Sequence, residues 1–389
     1  MGEPNERVVE RVTPTGESSA AESLSVDVIR DLAALEALWP HWLRLFTRSP
    51  DATAFISPTA ILMWYRYIEH HKRIYVVVVW SGNELVGLAP FSVTTVWPYR
   101  FFTVAGNEYS YPGDPLLGAD PAPVANAIID HLSGLVAGGR ATIHLPRMFL
   151  DGTVARLLSE RSDISLDKKI VNSRVLVRFD QMAEPAEYFR QVARKHAVPR
   201  RLRRLHEVFE QVDYVPADPE PDRALEVMRD MLYRRFGAKA PPMVSTPRRE
   251  AFMRALANQL ITVGHAQLSS IVADGRRIAC TLALHVGPRT FWYQPAYEPE
   301  LRQYGIGHIE LYEFLRRAYE GGATEVDLGS DKFEYKQRWA GVYKPRARLI
   351  LGTADHQARL PLLLRRAVMS RRAHQFNREE RTSMDREFE

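Results

Sequence analysis

The sequence predicts a mixed α/β (α+β) fold, and three observations support this prediction. Strand-like runs rich in β-branched and aromatic residues alternate with amphipathic helical segments along the chain. Two hairpin patterns, within 73–96 and within 265–286, follow a similar order of elements, which suggests two related domains. The length of 389 residues also favours two cores over one.

The first half of the chain begins with helices and continues with a hairpin. Asp31 is a suitable N-cap for a helix whose apolar face includes Leu35 and Trp42, and an aromatic helix follows over 59–70. Two β-rich runs, 73–80 and 85–96, flank a Gly-Asn turn and predict an antiparallel hairpin. The remaining predictions are strands over 99–105, 142–145 and 174–179, and helices over 121–136 and 152–159.

The second half opens with the most basic segment of the chain, 190–204. A helix over 185–196 is predicted to end before Pro199, where a second helix begins. The arginines there are a solvated helix face, an anion-contacting rim near the coenzyme or an anionic acceptor, or, as the least favoured alternative, a nucleic-acid contact. The other predicted elements are helices over 222–236 and 247–262, the hairpin 265–286 and a strand over 346–352, and the Pro-containing connection 237–243 could act as a lid over an acceptor.

Composition limits the compartment and the classes of partner. The 52 Lys+Arg and 47 Asp+Glu residues give a net charge of +5, which suits anionic ligands but does not favour nucleic acid. Cys280 is the only cysteine, which excludes an intramolecular disulfide and fits a reducing cytoplasm. We predict a disordered tail over 1–23, a basic helix and charged tail over 355–389, no signal peptide and no transmembrane segment.

The most informative stretch is 291–336, which predicts a strand, a glycine-containing turn, a helix and a second strand. Leu311, Phe314, Leu315 and Ala318 have the spacing of a buried helical stripe. Before them, Gly305 and Gly307 stand at the predicted start of the helix, where backbone without Cβ atoms can approach a phosphate. Arg302 could donate to the same oxygens. The alternative is a tight βα turn with no ligand.

Several common catalytic patterns are missing from the sequence. It contains no Rossmann or P-loop glycine pattern, no G-x-S-x-G nucleophile elbow and no H-E-x-x-H or paired Cys/His spacing. These absences argue against a nucleotide-fold oxidoreductase, a serine hydrolase and a metal site. A pair of glycosidase carboxylates is not excluded, but nothing singles one out.

The spacing Arg302-x-x-Gly305-x-Gly307 resembles the pyrophosphate loop of GNAT acyltransferases, usually written [RQ]-x-x-G-x-[GA]. With Ala296-Tyr297-Glu298-Pro299 before it and Asp327-Leu328-Gly329 after it, the chain is similar to the GNAT-like family associated with bacterial cellulose and exopolysaccharide biosynthesis, a relative of the Fem-type aminoacyltransferases. The resemblance implies two tandem GNAT-like domains over 24–180 and 181–354, each a mixed, mostly antiparallel sheet flanked by helices. It places acyl-CoA in the second domain.

The resemblance also implies roles for individual residues. Tyr335 would return a proton to the leaving thiolate, and Lys336 and Asp327 would act beside it. The acyl-CoA would contact Gln294, Ala296, Tyr297, Arg302, Gln303, Tyr304, Gly305, Ile306 and Gly307. The sequence leaves the general base open among Glu298, Asp327, His285 and His308, and an amine acceptor could instead lose its proton to water.

We therefore expect a cytoplasmic N- or O-acyltransferase that uses acetyl-CoA or another acyl-CoA and no metal. Its acceptor would be a small polar molecule such as a sugar nucleotide or an envelope or exopolysaccharide precursor. Two alternatives stay open. One is a Fem-type enzyme that takes its donor from aminoacyl-tRNA, and the other is a non-catalytic accessory protein of exopolysaccharide assembly. The sequence does not indicate an oligomeric state.

Overall fold

The computed structural model describes residues 23–106, 114–237, 245–330, 334–339 and 341–352. Almost all of the predicted tail over 1–23, the tail over 355–389, the segment 107–113 and most of the predicted lid over 237–243 lie outside the described residues. The chain divides into two compact units, Met1–Val171 with Arg346–Glu389, and Asn172–Pro345. We call them unit 1 and unit 2.

The helices are α1 Leu32–Ala37, α2 Trp39–Arg48, α3 Pro58–Tyr67, α4 Pro121–Ala137, α5 Thr153–Glu160, α6 Pro185–Lys195, α7 Val198–His206, α8 Pro221–Phe236, α9 Pro247–Thr262, α10 Ile306–Glu320 and α11 Glu334–Gln337. The strands are β1 Leu24–Ile29, β2 Arg73–Ser81, β3 Glu84–Val96, β4 Tyr99–Val104, β5 Leu116–Leu117, β6 Ala141–Phe149, β7 Ser165–Arg178, β8 Val212–Val215, β9 Ala266–Ala273, β10 Arg276–Val286, β11 Arg289–Tyr297, β12 Glu325–Ser330 and β13 Val342–Gly352.

Both units contain a mixed, mostly antiparallel sheet with the same arrangement. In unit 1 the strand order is β1-β2-β3-β4-β6-β13, and only β4 and β6 run parallel among these neighbours. In unit 2 the order is β8-β9-β10-β11-β12-β7, and here β11 and β12 are the parallel pair. The matching positions of the parallel pair confirm the predicted mixed sheets flanked by helices and the internal similarity of the two halves.

The last strand, β13, pairs within unit 1, although it follows the elements of unit 2 in the sequence. The sequence predicts that 346–352 belongs to the second domain. In the structure, Arg346–Leu351 pair with Ile143–Phe149 of β6 in unit 1. Unit 2 receives its corresponding strand from β7, which precedes its other elements in the chain and pairs with β12.

Local sequence signals explain most of the helix boundaries. Asp31 is the N-cap of α1 and its carboxylate accepts from the Ala34 amide at 2.8 Å, as predicted. The single helix expected there is instead two, because α2 begins again at Trp39 with Pro40 in its first turn. Farther on, α6 and α7 are separated at Ala197, whose φ of 50° is left-handed, which confirms the predicted break near Pro199.

Three strands were absent from the prediction: β1, β8 and the two-residue β5, which pairs with β3. β1 pairs with β2 and β8 pairs with β9, so each lies at the outer edge of its sheet. Their short, partly polar sequences give weak signals by themselves, and pairing with a longer neighbour supplies the hydrogen bonds that define them. Among the described residues, no helix is both long and apolar enough to span a membrane.

Close packing of α4 against the sheet in unit 1 depends on Gly87 in β3. A Cβ atom at this position would overlap the side chain of Val124 in α4 and press on Val79 in β2. These three residues belong to the buried layer that also contains Ile128 and Leu132. The glycine therefore permits a close approach of helix and strand.

We expect Gly87→Ala to lower the free energy of unfolding by about 1–3 kcal/mol, because the added methyl group overpacks this contact. Gly134→Ala is the matched control on α4. A Cβ there meets nothing within 4 Å, so this variant should gain about 0.5–1 kcal/mol from helix propensity. Chemical denaturation of both variants measures the two changes, and equal effects would contradict the packing argument.

Candidate active site

The central feature of unit 2 is a gap between β11 and β12. The two strands pair in parallel at only three positions, Arg289–Phe291 with Glu325–Asp327. β11 then continues to Tyr297 and β12 to Ser330 without further pairing to each other. The backbone edge of β11 that faces away from β10 therefore becomes available beyond Phe291.

A β-bulge lies at the start of this unpaired part. Ala283 of β10 pairs with Trp292 and Leu282 pairs with Gln294, so Tyr293 is the extra residue in β11. A bulge twists a strand and redirects its backbone groups and side chains, and bulges are common next to active sites. Pro295 follows without an amide hydrogen, which limits the backbone donors that this edge can offer.

The predicted contacts on β11 have different environments. Ala296 is buried and pairs with Cys280. Gln294 is half-buried, and its side-chain amide donates to the Pro295 carbonyl at 3.1 Å. Tyr297 lies against Gly307, where an added Cβ would come within 3.2 Å of the phenol ring. Tyr297 therefore connects the end of β11 to the first turn of α10.

The predicted glycine turn is a short 3₁₀ helix, Pro299–Tyr304, followed by Gly305 as the N-cap of α10. Gly305 has φ +68°, a conformation that favours glycine. Its amide already donates to the Arg302 carbonyl at 3.0 Å, so it is not available to a ligand. The amides of Ile306 and Gly307 begin α10 and have no acceptor within that helix. They are the backbone donors that this turn can offer.

Arginines from another helix reach this turn. A Cβ on Gly305 would overlap the guanidinium group of Arg201, which therefore lies directly over the N-terminus of α10. Arg201 is anchored from its other side, because its Nε donates to the His196 carbonyl at 2.8 Å. Arg204 lies over the Tyr304 ring, 5.5 Å from its centroid. The exposed Arg302 and Gln303 complete the polar surroundings.

An aromatic stack supports the same helix terminus. The His196 and Trp339 rings are parallel within 3° with centroids 3.9 Å apart, and His308 stacks on His196 at 5.1 Å. Burial and the positive charge of Arg201 lower the pKa of His308 to about 4. The imidazole is therefore neutral near pH 7 and is a weak candidate for the general base.

The other base candidates are similarly engaged. Glu298 is buried and forms ion pairs with Arg234 at 2.8 Å and Arg276 at 2.9 Å. His285 interacts with the Thr290 hydroxyl at the opposite end of β11 from Tyr297, and burial lowers its pKa. Glu298 is therefore committed to two arginines, and His285 lies at the far end of β11 from the glycine turn, so neither is a good candidate for the base.

Asp327 is held by a buried arginine. Its carboxylate accepts from Arg174 Nε at 2.7 Å and from the Gly329 amide at 2.7 Å, and Arg174 Nη2 lies 2.6 Å away. Arg174 is only 1% exposed and lies 4.4 Å from the centroid of the Phe291 ring. Asp327 thus fixes the end of the β11–β12 ladder and neutralises Arg174.

Lys336 on α11 lies close to β11. Its ammonium group is 5.4 Å from the centroid of the Trp292 ring. Gly329 makes room for it, since a Cβ there would come within 2.9 Å of Lys336 Nζ. Burial and the positive charge of Arg174 lower the pKa of Lys336 to about 8, although Asp327 acts in the opposite direction.

Tyr335 precedes Lys336 on α11 and approaches the same tryptophan. Its ring centroid is 6.5 Å from that of Trp292 in an edge-to-face arrangement. Burial, with a further contribution from Glu310, raises the pKa of the phenol. Tyr335 therefore carries its proton at neutral pH and can serve as an acid.

Sequence reasoning missed Glu310, a buried carboxyl group on α10. It accepts from Thr281 Oγ1 at 2.5 Å and from Trp292 Nε1 at 3.2 Å, and it is 3% exposed. Burial raises its pKa to about 7, and the two donors oppose this shift. The sequence signal was its position four residues after Ile306 and four before Phe314, on the buried side of the helix.

Comparison with known proteins gives a consistent result. Residues 189–337 match the model of the Acetyltransferase (GNAT) domain. No curated protein matches the chain. Among solved structures, the crystal structure of FemX is similar at 11% identity, with a TM-score of 0.58 over 79% of this chain and 95% of that chain. L-PGS from Bacillus licheniformis is similar at 12% identity, with a TM-score of 0.52 over 86% and 96%.

These comparisons support an acyltransferase with a GNAT-type domain. The solved structures share the fold at identities too low to carry over a substrate. The matched range contains the gap, the glycine turn and α11, so the predicted site lies within the recognised domain.

The raised pKa of Glu310 predicts a pH effect on stability. Its ordinary value is 4.5 and its folded value is about 7, so the folded protein binds a proton that the unfolded chain releases. The contribution of Glu310 to stability should therefore fall as the pH rises from 4.5 through 7, by about 3 kcal/mol in total. We expect Glu310→Gln to remove this contribution and to leave that of Asp114, whose pKa burial also raises to about 7.

Urea denaturation at several pH values between 4.5 and 8 tests the effect. Glu320→Gln, an exposed position on the same helix, is the control and should keep the wild-type pH dependence. Parallel curves for wild type and Glu310→Gln would show that Glu310 does not titrate in this range.

Proposed function

We propose that the protein transfers an acyl group, with acetyl the first candidate, from acyl-CoA to an amine or hydroxyl of a small polar acceptor. One observation carries the proposal. The glycine turn and Arg201 lie at the N-terminus of α10, beside strands that separate after three residue pairs, within a segment that matches a GNAT domain. These features together suit a long ligand with a diphosphate group at one end and a reactive group at the other.

The diphosphate would be held at the start of α10. The amides of Ile306 and Gly307 and the positive end of the helix dipole favour an anion there. Arg201 and Arg302 add two full charges from separate elements, and guanidinium groups bind phosphate oxygens in a bidentate manner. The absence of a side chain at Gly305 permits Arg201 to come this close.

The thioester end would extend along the unpaired edge of β11. The acceptor nitrogen or oxygen attacks the thioester carbonyl carbon, the carbon–sulfur bond breaks, and the acyl group becomes attached to the acceptor. Backbone amides near the bulge at Tyr293 would stabilise the negative charge on the carbonyl oxygen. Tyr335 would supply a proton to the leaving sulfur, and Lys336 would stabilise negative charge nearby.

Removal of the acceptor proton does not require a dedicated carboxylate. Asp327 is bonded to Arg174, and Glu298 is paired with two arginines. A neutral Lys336 amine is available in part near pH 8, and an amine acceptor can also release its proton to water after attack. We propose that Lys336 acts electrostatically, through its charged form, and that water accepts the proton released by the acceptor.

The acceptor class rests on the resemblance to exopolysaccharide-associated GNAT-like proteins and on local charge. Arg235 is exposed on α8, and its guanidinium group lies 4.4 Å from the centroid of the Tyr297 ring. The positive charge of Arg235 also acts to lower the pKa of Tyr335, opposing the effect of burial. A cation there suits a phosphate-bearing acceptor such as a sugar nucleotide or an envelope polysaccharide precursor.

A second candidate is transfer from aminoacyl-tRNA. The observation that favours it is α7, which carries Arg200, Arg203 and Arg204 exposed beside the glycine turn, together with a fold similar to that of FemX. Such a cationic helix can contact the phosphates near the end of an RNA. A non-catalytic accessory role would leave both donors unbound.

Binding of acetyl-CoA tests the donor. We expect acetyl-CoA to raise the melting temperature of the full chain, and Arg201→Gln and Arg302→Gln each to weaken binding about tenfold through loss of a charge-assisted contact. Arg190→Gln on α6 removes the same charge from an exposed position and is the matched control. It should bind as the wild type does.

Isothermal titration of each variant separates the outcomes. A diphosphate site at α10 would be refuted if Arg201→Gln and Arg302→Gln bound acetyl-CoA with the same affinity as Arg190→Gln. Salt-sensitive binding of aminoacyl-tRNA, with no response to acetyl-CoA, would favour the second candidate. Binding of neither donor would favour the accessory role.

The acid role of Tyr335 has a separate test. Release of free CoA thiol in the presence of a panel of amine and hydroxyl acceptors measures turnover. Tyr335→Phe should lower kcat by about 10²–10⁴-fold with little change in acetyl-CoA affinity, because only the proton is removed. An unchanged kcat in Tyr335→Phe would remove Tyr335 from the mechanism.

A further inference from the structure

One end of the sheet in unit 1 exposes an unusual side chain. Trp97 lies in the turn between β3 and β4 and is 89% exposed, more than any other large hydrophobic residue among the described residues. A tryptophan gains more from burial than almost any other side chain. A fully exposed one at the tip of a hairpin therefore indicates a surface that is covered in another setting.

Three exposed arginines surround the base of this hairpin. Arg73 begins β2, Arg100 lies in β4, and Arg140 immediately precedes β6. Strand pairing brings them to the same end of the sheet, since Arg73 pairs with Val93 and the Arg100 amide donates to the Arg140 carbonyl at 2.8 Å. We call Arg73, Trp97, Arg100 and Arg140 the Trp97 edge.

The arginines of the Trp97 edge have no ion-pair partner among the described residues. The three segments around this hairpin, 66–73, 93–104 and 134–142, contain a single acidic residue, Glu69, and Asp31 beyond the end of β1 is the N-cap of α1. Glu69 is buried and pairs with Lys72 and Ser92. Among the described residues, no carboxylate lies within 4.0 Å of a charged nitrogen of Arg73, Arg100 or Arg140.

The hairpin projects beyond the neighbouring strand. The β3–β4 ladder continues to the pair Val96–Tyr99, three residues past the pair Arg73–Val93 that begins β2. At the rise of a β-strand, the tip extends about 10 Å past this pair. The edge is thus a convex tip with one apolar side chain at its end and cations around its base.

We propose that the Trp97 edge docks on the surface of an anionic phospholipid bilayer. Tryptophan is favoured at the boundary between headgroups and acyl chains, and arginines at the base of the hairpin would contact lipid phosphates. The projection of the tip matches the depth of about 5–10 Å that interfacial segments reach.

A protein partner fits this surface less well. A stable protein interface buries about 800 Å² on each side around an apolar centre. Of the described residues in the three segments around this hairpin, Trp97 is the only exposed large hydrophobic one. A lone tryptophan surrounded by cations matches the chemistry of a lipid headgroup layer better than that of an apolar protein surface.

Sedimentation of the full chain with vesicles tests the proposal. We expect binding to vesicles of phosphatidylcholine and phosphatidylglycerol in equal parts, weaker binding at high salt, and no binding to phosphatidylcholine alone. Each Arg→Gln change at Arg73, Arg100 or Arg140 should weaken binding about fivefold, and Trp97→Ala about tenfold. Trp97→Phe should retain part of the affinity.

Matched controls distinguish a specific surface from general charge attraction. The combined variant Arg156→Gln, Lys168→Gln and Lys169→Gln removes three positive charges from exposed positions elsewhere in unit 1, as many as Arg73→Gln, Arg100→Gln and Arg140→Gln combined, and should leave vesicle binding unchanged. Iodide quenching of the tryptophan fluorescence should decrease when anionic vesicles are added, because the bilayer shields the exposed Trp97. No vesicle binding by the wild type, equal binding to both vesicle types, or an equal loss in the control variant would overturn the proposal.

Discussion

The short parallel ladder between β11 and β12 is the constraint on which the candidate site depends. Three residue pairs hold the strands together, and the contact of Arg174 with Asp327 closes the ladder at its last pair. Beyond that point the bulge at Tyr293 turns β11 away from its neighbour. A continuous ladder would have used the backbone groups of β11 within the sheet. Their separation leaves room for a ligand.

Three polar side chains next to the gap contact a single aromatic ring. The Trp292 indole donates to Glu310, and the Lys336 ammonium and the Tyr335 ring both approach the same indole. A carboxylate that accepts from the indole makes the ring richer in electrons, which strengthens its attraction for a cation. Glu310 can in this way hold Lys336 at the gap without touching it. The low local polarity that raises the pKa of Glu310 also lowers that of Lys336.

The two units have the same sheet order but different local chemistry. In each, a parallel pair of strands lies between antiparallel ones, and a long helix lies between the two parallel strands in the chain. In unit 2 that helix is α10, whose N-terminus carries the glycine turn and Arg201. In unit 1 the exposed hairpin at Trp97 and its arginines lie at the other end of the matching strands, where unit 2 has the turn between β10 and β11. The same architecture thus presents two surfaces with different chemistry, one suited to a small anionic ligand and one to an extended anionic surface.

By itself, the sequence determined the features that depend on local periodicity and backbone chemistry. The stripe of Leu311, Phe314 and Leu315 predicted α10, Asp31 predicted an N-cap, and Gly305 and Gly307 predicted a turn at the start of α10. The position of Lys336 near the gap came from family resemblance. Only the tertiary structure decided that Arg201 lies over Gly305, that Glu310 lies beneath Trp292, and that β13 completes unit 1. These contacts join residues far apart in the chain. They depend on packing between elements, which the spacing of residues within one element cannot reveal.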